Sequence, residues 1–150
     1  HLMIEKPERK LDEVIDAGAD IITIHQESTT RLYSCIEKIK SRGVKAGVVL
    51  SPATNENTLK YVLDKIDMIL LMTINPGEDG LGFHEELLTK IKNVRELIGN
   101  RDIDLEVDGE IDNTNIAKCK EAGVNVFVSG GYVFKGNIAE KIKTLREALK

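Results

Sequence analysis

The chain has no tryptophan, two cysteines, three prolines and only 4% aromatic residues among its 150 positions. Two cysteines, Cys35 and Cys119, lie far apart in helix-like segments, which excludes a disulfide scaffold. They read as reduced core residues and point to a cytoplasmic protein. No apolar run approaches the ~20 residues of a bilayer span, so no membrane partner is expected, and no secretory leader is recognisable. The formal charge of -4, with no Lys/Arg cluster beyond a solvated helix face, argues against a nucleic-acid partner. What remains is 41% hydrophobic and 31% charged residues, an ordinary balance for one globular domain with a sizeable core.

Helical and strand periods alternate along the chain. Pro7 opens a run with Leu11, Val14 and Ile15 on one face, closed by Gly18. Ile21–His25 follows as a β-branched strand. Leu32, Cys35, Ile36 and Ile39 make a helix stripe ended by Gly43, and Ala46–Leu50 is the next strand, stopped by Pro52. Leu59, Val62 and Leu63 predict another helix, and Met68–Met72 a buried strand. A glycine-rich loop from Asn75 to Gly82 leads to a helix with Leu87, Leu88, Ile91, Val94 and Leu97. Strands at Ile103–Val107 and Val126–Val128 follow, with helices around Ile116–Ala122 and Ile138–Leu149. Recurring βα units with apolar strands call for a parallel sheet covered on both faces. A (β/α)8 barrel and a doubly wound open sheet both satisfy that pattern.

The polar and glycine-rich clusters fall just after strands: His25-Gln26-Glu27, Ser51-Pro52, Thr73 to Gly80, Asp108-Gly109 and Ser129-Gly130-Gly131. Collection at C-terminal strand ends is where α/β folds place their chemistry. Asp108, between a strand and a glycine turn, can move a proton, bind a metal, or both. Gly77, Gly80, Gly109, Gly130 and Gly131 can present backbone N–H groups to an anion such as phosphate. His84 opens a helix beyond the glycine loop and reads as solvent-exposed or capping.

Six ordered segments carry a resemblance: His1-Leu2-Met3, Ile24-His25-Gln26-Glu27, Ala46 to Pro52, Met72 to Gly77, Glu106-Val107-Asp108-Gly109 and Ser129-Gly130. Together they resemble the ribulose-phosphate 3-epimerase family of metal-dependent, phosphate-binding barrels, over residues 1 to about 149. The resemblance implies an isomerase on a (β/α)8 TIM barrel. Its substrate is a ketose phosphate, either ribulose 5-phosphate/xylulose 5-phosphate or allulose 6-phosphate. Epimerisation at carbon 3 needs two acid/base groups on opposite faces of the substrate and a cation against the enediolate charge. The family uses two aspartates, with one divalent metal ion (Zn2+, Fe2+, Mn2+ or Co2+) held by two histidines and those aspartates.

Position by position, Asp108 matches an aspartate that is both catalytic group and metal ligand. His1 matches a metal-ligating histidine beside the substrate. Gly77, Gly80, Gly109, Gly130 and Gly131 match the phosphate rim, and Met3, Met72 and His25 match the walls of the site. On spacing alone the two methionines read equally well as core, and His25 as a hydrogen-bonded barrel-interior histidine. The second histidine and aspartate of the family have no counterpart here. The apolar start His1 to Ile4 reads as a strand entered partway, so the expected architecture is the C-terminal two-thirds of a barrel, one partial domain over residues 1–150. The first two strands and most of the third are outside it, and residues 1–150 alone are expected to be inactive. The complete protein is expected to be a homo-oligomer.

Three departures fall on the phosphate rim. Glu78-Asp79 and Glu110 stand where the family has glycine or aromatic residues, and Gly131 replaces a serine. A carboxylate ~6 Å from a phosphate, at an effective dielectric near ~20, is unfavourable by a few kcal/mol per unit charge. Either these acids point to solvent and phosphate still binds, or the protein takes a different or unphosphorylated ketose. A non-catalytic barrel relative kept as a partner subunit is the alternative of another class. Other phosphate-binding barrels, such as hexulose-phosphate synthases, call for a lysine among strand-end carboxylates, and none lies at the Asp108 strand end.

Overall fold

The computed structural model describes residues 1–78, 80 and 82–150. Its elements are α1 (Leu11–Asp16), β1 (Ile21–His25), α2 (Leu32–Ser41), β2 (Lys45–Leu50), β3 (Met68–Met72), α3 (Leu87–Ile98), β4 (Asp104–Asp108), α4 (Ile116–Ala122), β5 (Val126–Val128), α5 (Gly131–Phe134) and α6 (Ile138–Ala148). The stripe Leu59, Val62 and Leu63 forms 3-10 turns, Glu56–Tyr61 and Leu63–Lys65, instead of the expected α-helix. Three-residue spacing from Leu59 to Val62 serves a 3-10 turn as well as an α-helix. The Asn55 side chain accepts from the Asn57 N–H, and the Asn55 carbonyl accepts from the Thr58 N–H, which starts the tighter pattern. The single turn α5 carries no helical stripe and is visible only in the structure.

The five strands are all parallel and stand in sequence order, β1-β2-β3-β4-β5. Leu2 bridges to Ile24 in parallel on the far side of β1, as the sixth strand tail read from the sequence requires. Unbroken sequential order decides between the two architectures. A doubly wound sheet reverses its strand order at a switch point, whereas a barrel wall adds each strand beside the last. The chain is an arc of a (β/α)8 barrel wall.

The two faces of that wall differ. Ile24, Val48, Leu50, Ile69, Leu71, Leu105 and Val107 pack outward against the helices in one core with Ile36, Ile39, Ile91 and Ile98. Each such side chain, when fully buried, contributes roughly 1.5–3 kcal/mol. The inner face carries Val49, Leu70 and Met72 as a separate apolar cluster. On β4 the alternation of side chains turns Asp104, Glu106 and Asp108 to that inner face, half-buried, between the fully buried Leu105 and Val107. One strand of the wall thus presents a column of carboxylates to the barrel interior. Cys35 and Cys119 are both free and buried, as read from the sequence, and burial pushes the Cys119 thiol up to about 11. Among the described residues no helix is long and apolar enough to cross a membrane.

Candidate active site

Asp108 ends β4, and its backbone is held from the neighbouring strand end. The buried Thr73 donates its N–H to the Asp108 carbonyl at 2.9 Å and its hydroxyl to the same oxygen at 3.1 Å, and that hydroxyl also reaches the Gly109 carbonyl. Gly109 has φ 124°, and a Cβ there would lie 2.6 Å from Ile74 Cγ1 and 2.9 Å from the Ile74 amide nitrogen. Both the conformation and the space require glycine. Glu110 follows with φ 52°, in the left-handed region uncommon for a non-glycine residue. Its carbonyl accepts from Asn115 Nδ2 at 2.8 Å, and the next carbonyl, Ile111, accepts from Ser129 Oγ at 2.6 Å. Part-buried and buried hydrogen bonds from three side chains, Thr73, Asn115 and Ser129, fix the turn that aims Asp108.

Across the mouth of the arc, His1 Nδ1 stands 3.6 Å from Asp108 Oδ2, and His1 Nε2 lies 2.8 Å from His25 Nε2. The two imidazoles stack, with centroids 5.0 Å apart and planes at 28°. His25 Nδ1 lies 3.4 Å from Glu27 Oε2, while Glu27 Oε1 accepts from the Ser51 N–H at 2.8 Å and from the Thr54 hydroxyl. Along Glu27–His25–His1–Asp108 the tautomers of the two rings are linked. With a proton on His25 Nδ1, facing the Glu27 carboxylate, His25 Nε2 would accept and His1 Nε2 would donate. The lone pair of His1 Nδ1 is then turned toward Asp108. Burial by itself would raise the Glu27 carboxyl, but hydrogen bonds from His25, Thr54 and the Ser51 amide outweigh it and hold the group at about 2.

Burial pushes the Asp108 carboxyl up, and a hydrogen bond from the Gly109 amide offsets only part of that. Burial also raises Glu106, one layer deeper, with Asp108 and then Asp104 adding repulsion. A carboxyl shifted up in this way holds and releases protons closer to neutrality than a free one.

Two clefts open on the strand-end side. The first, of about 370 Å³, is lined by Asp108, Gly109, Glu110, Gly130, Gly131 and Lys135, among others. The second, of about 520 Å³, is lined by Met3, His25, Glu27, Pro76 and Gly77, among others. The rim read from the sequence as one feature is therefore divided: Gly109, Gly130 and Gly131 sit with Asp108, and Gly77 with His25. Gly80 joins the first group through its N–H, which donates to Glu110 Oε1 at 2.9 Å. Met3 is half-exposed on the second cleft, while Met72 is buried beside Asp108 in strand register. Glu78 is exposed and accepts from Asn75 Nδ2 at 3.0 Å, whereas Asp79 lies outside the described residues. His84 is partly exposed, with Nδ1 3.5 Å from Glu86 Oε1. Thr73, Asn115, Glu106 and Lys135 are contributors that the sequence did not single out. Strand alternation could have found Glu106, but nothing local marks Lys135.

The parallel, sequentially ordered wall is that of a (β/α)8-barrel protein, and the aspartate facing an imidazole beside a glycine-lined cleft is a candidate site at the C-terminal ends of its strands. The chain belongs to the ribulose-phosphate 3 epimerase family, whose model matches residues 1–134. It is 42% identical over 151 residues to the ribulose-5-phosphate-3-epimerase, chloroplastic, of Arabidopsis thaliana, covering 97% of this chain and 54% of that protein. It is also 42% identical over 137 residues to the ribulose-phosphate 3-epimerase of Bacillus subtilis, covering 89% of this chain and 63% of that one. The chain thus spans a little over half to under two-thirds of the length of these relatives. Among solved structures, a 3-hexulose-6-phosphate synthase superposes with a TM-score of 0.74 at 20% identity, over 98% of this chain and 70% of that one. A 3-keto-L-gulonate-6-phosphate decarboxylase from Vibrio cholerae gives 0.76 at 17% identity, over 97% and 68%. At such identities these two bear on the fold alone.

Proposed function

We propose that the chain supplies the Asp108 side of the site of a ketose-phosphate 3-epimerase acting on ribulose 5-phosphate/xylulose 5-phosphate, with allulose 6-phosphate as the near alternative substrate. The observation that carries this reading is the half-buried Asp108 carboxylate, aimed into the mouth of the barrel arc by a pinned backbone and faced by His1. Asp108 takes the proton from carbon 3, the bonding pair moves to make the carbon 2 carbonyl oxygen an enediolate oxygen, and a proton returns from the opposite face. That return calls for a second acid/base group across the substrate from Asp108. Met72 keeps the Asp108 side of the site apolar, which strengthens electrostatic interactions there.

Gly130 and Gly131 support a ligand at the rim. Neither has a positive φ, and a Cβ at either would meet nothing within 4 Å. Within this chain, neither backbone conformation nor packing requires glycine at these positions. That leaves room for a ligand to approach the main chain closely, and the phosphate of the substrate is the group we place there.

The metal belongs to the same proposal. The His1 Nδ1 lone pair and Asp108 Oδ2 are a nitrogen and an oxygen donor suited to Zn2+, Fe2+, Mn2+ or Co2+. Their 3.6 Å separation is too long for a hydrogen bond and near the spacing of two ligands on one ion bound at ~2.1 Å. Among the described residues no group of three His, Cys, Asp or Glu side chains could hold a metal ion, and His1 and Asp108 would be two members of a larger ligand set. Such an ion would supply positive charge against the enediolate oxygen. A small-molecule sugar phosphate as partner, a homo-oligomer and a cytoplasmic setting complete the reading.

The test is interconversion of ribulose 5-phosphate and xylulose 5-phosphate by the protein at its natural length, before and after chelation and with metal restored. Turnover that disappears on chelation and returns with the metal is expected. Metal-replete protein that epimerises neither the pentulose nor the hexulose phosphate overturns the proposal and favours the non-catalytic subunit. A dephosphorylated ketose turned over as well as its phosphate would move the substrate to an unphosphorylated sugar.

A further inference from the structure

Glu110 lines the glycine-rimmed cleft, and its carboxylate does not point away from the rim. Its Oε1 accepts the Gly80 N–H at 2.9 Å, tying the turn after β4 to the loop after β3. Its backbone is at φ 52°, and the Asn115 side chain holds its carbonyl there at 2.8 Å. A non-glycine residue in that conformation costs about 1 kcal/mol or more. The same cleft is lined by Gly109, Gly130, Gly131 and Lys135.

Accepting that the rim receives a phosphate, as the proposed function has it, we infer that Glu110 is a specificity-determining residue that competes with the substrate's anionic end for the Gly80 amide. The Glu110 carboxylate is a built-in anion on one of the donors a phosphate would use. A phosphorylated ligand displaces it or binds beside it against like-charge repulsion, so phosphate alone is held weakly. The carbon skeleton of the substrate must then supply more of the affinity. Inorganic phosphate and other small phosphorylated metabolites are discriminated against by the same charge. Lys135, which lines the same cleft, offers a cation to a phosphate shifted away from Glu110.

The experiment titrates inorganic phosphate into the protein at its natural length, followed by phosphorus NMR, for wild type, Glu110→Gln and Glu110→Gly. Melting curves confirm that each is folded. Glu110→Gln removes the charge but leaves an oxygen on the Gly80 N–H, and Glu110→Gly frees the amide and relieves the left-handed backbone. Phosphate affinity is expected to rise about threefold in Glu110→Gln and about tenfold in Glu110→Gly at low salt, with the differences shrinking as salt is raised. Equal or weaker binding in both variants overturns the inference and leaves the phosphate-binding rim standing. No phosphate binding by any of the three proteins overturns both.

Discussion

His1 Nε2 lies 2.8 Å from His25 Nε2, and this one contact orients the imidazole that faces Asp108. The two histidines are 24 positions apart in the chain, on adjacent strand ends joined by the Leu2–Ile24 bridge. Because Glu27 lies at the other nitrogen of His25, the Glu27 carboxylate selects the tautomer of both rings. Glu27, which does not touch Asp108 itself, thus acts on the Asp108 side of the site through the two imidazoles.

That relay predicts a spectroscopic result. In metal-free protein at pH ~8, nitrogen-15 NMR is expected to show His25 protonated on Nδ1 and His1 on Nε2. Glu27→Gln, whose side-chain amide can donate, is expected to mix the two tautomers of His25. The Nε2-protonated form of His25 in wild type would refute the relay.

Glu27 also makes a pH prediction. Its folded value, about 2, lies below the ordinary carboxylate value of 4.5, so its stabilising contribution is fully present above 4.5 and is lost as pH falls through about 2. Glu27→Gln is expected to melt below wild type at pH 7, with the gap closing between pH 4.5 and about 2. A gap independent of pH across that window would show that packing, not ionisation, is responsible.

Asp108 has the opposite sign. Its folded carboxyl is raised, so the folded state binds the proton more tightly than the unfolded one, and ionisation at neutral pH destabilises. Metal-free Asp108→Asn is expected to melt higher than wild type at pH 7, by roughly 1–5 °C. The difference should fade as pH drops through the folded value toward the unfolded one. Stability given up at a site group is the ordinary cost of function. A lower melting temperature for Asp108→Asn at pH 7 would contradict the assignment.

Gly109→Ala tests the turn that aims Asp108. The added Cβ meets Ile74 at 2.6 Å with φ at 124°, so a loss of roughly 2–4 kcal/mol in denaturant unfolding is expected. Glu110→Gly, one residue on, is expected to stabilise by roughly 1 kcal/mol, since its φ of 52° suits glycine. The opposite signs at adjacent positions separate a local backbone effect from general sensitivity of the turn.

Much of this arrangement was legible because barrel chemistry collects at strand ends. Asp108, His25 and the glycine clusters each follow an apolar run, and the helix and strand periods placed those runs. Residues 104–108 also carried their inner carboxylates openly, since Leu105 and Val107 alternate with Asp104, Glu106 and Asp108. Glu106 lacks a following glycine, so only the alternation marks it as facing inside. Contacts between residues 24 to 35 apart, His1 with His25, Glu110 with Gly80 and Thr73 with Asp108, depend on strand register and turn geometry. No local pattern encodes those. The 3-10 turns around Leu59 escaped for another reason: their apolar spacing fits both helix types.

In the proposed function, Asp108 moves a proton at carbon 3 of a ketose phosphate. Incubating the metal-replete protein at its natural length with ribulose 5-phosphate in deuterium oxide measures this directly, by deuterium incorporation at carbon 3. Incorporation by wild type, reduced about 10²- to 10⁴-fold in Asp108→Asn that retains its metal and its fold, is the predicted result. Incorporation at an undiminished rate in Asp108→Asn would contradict the account.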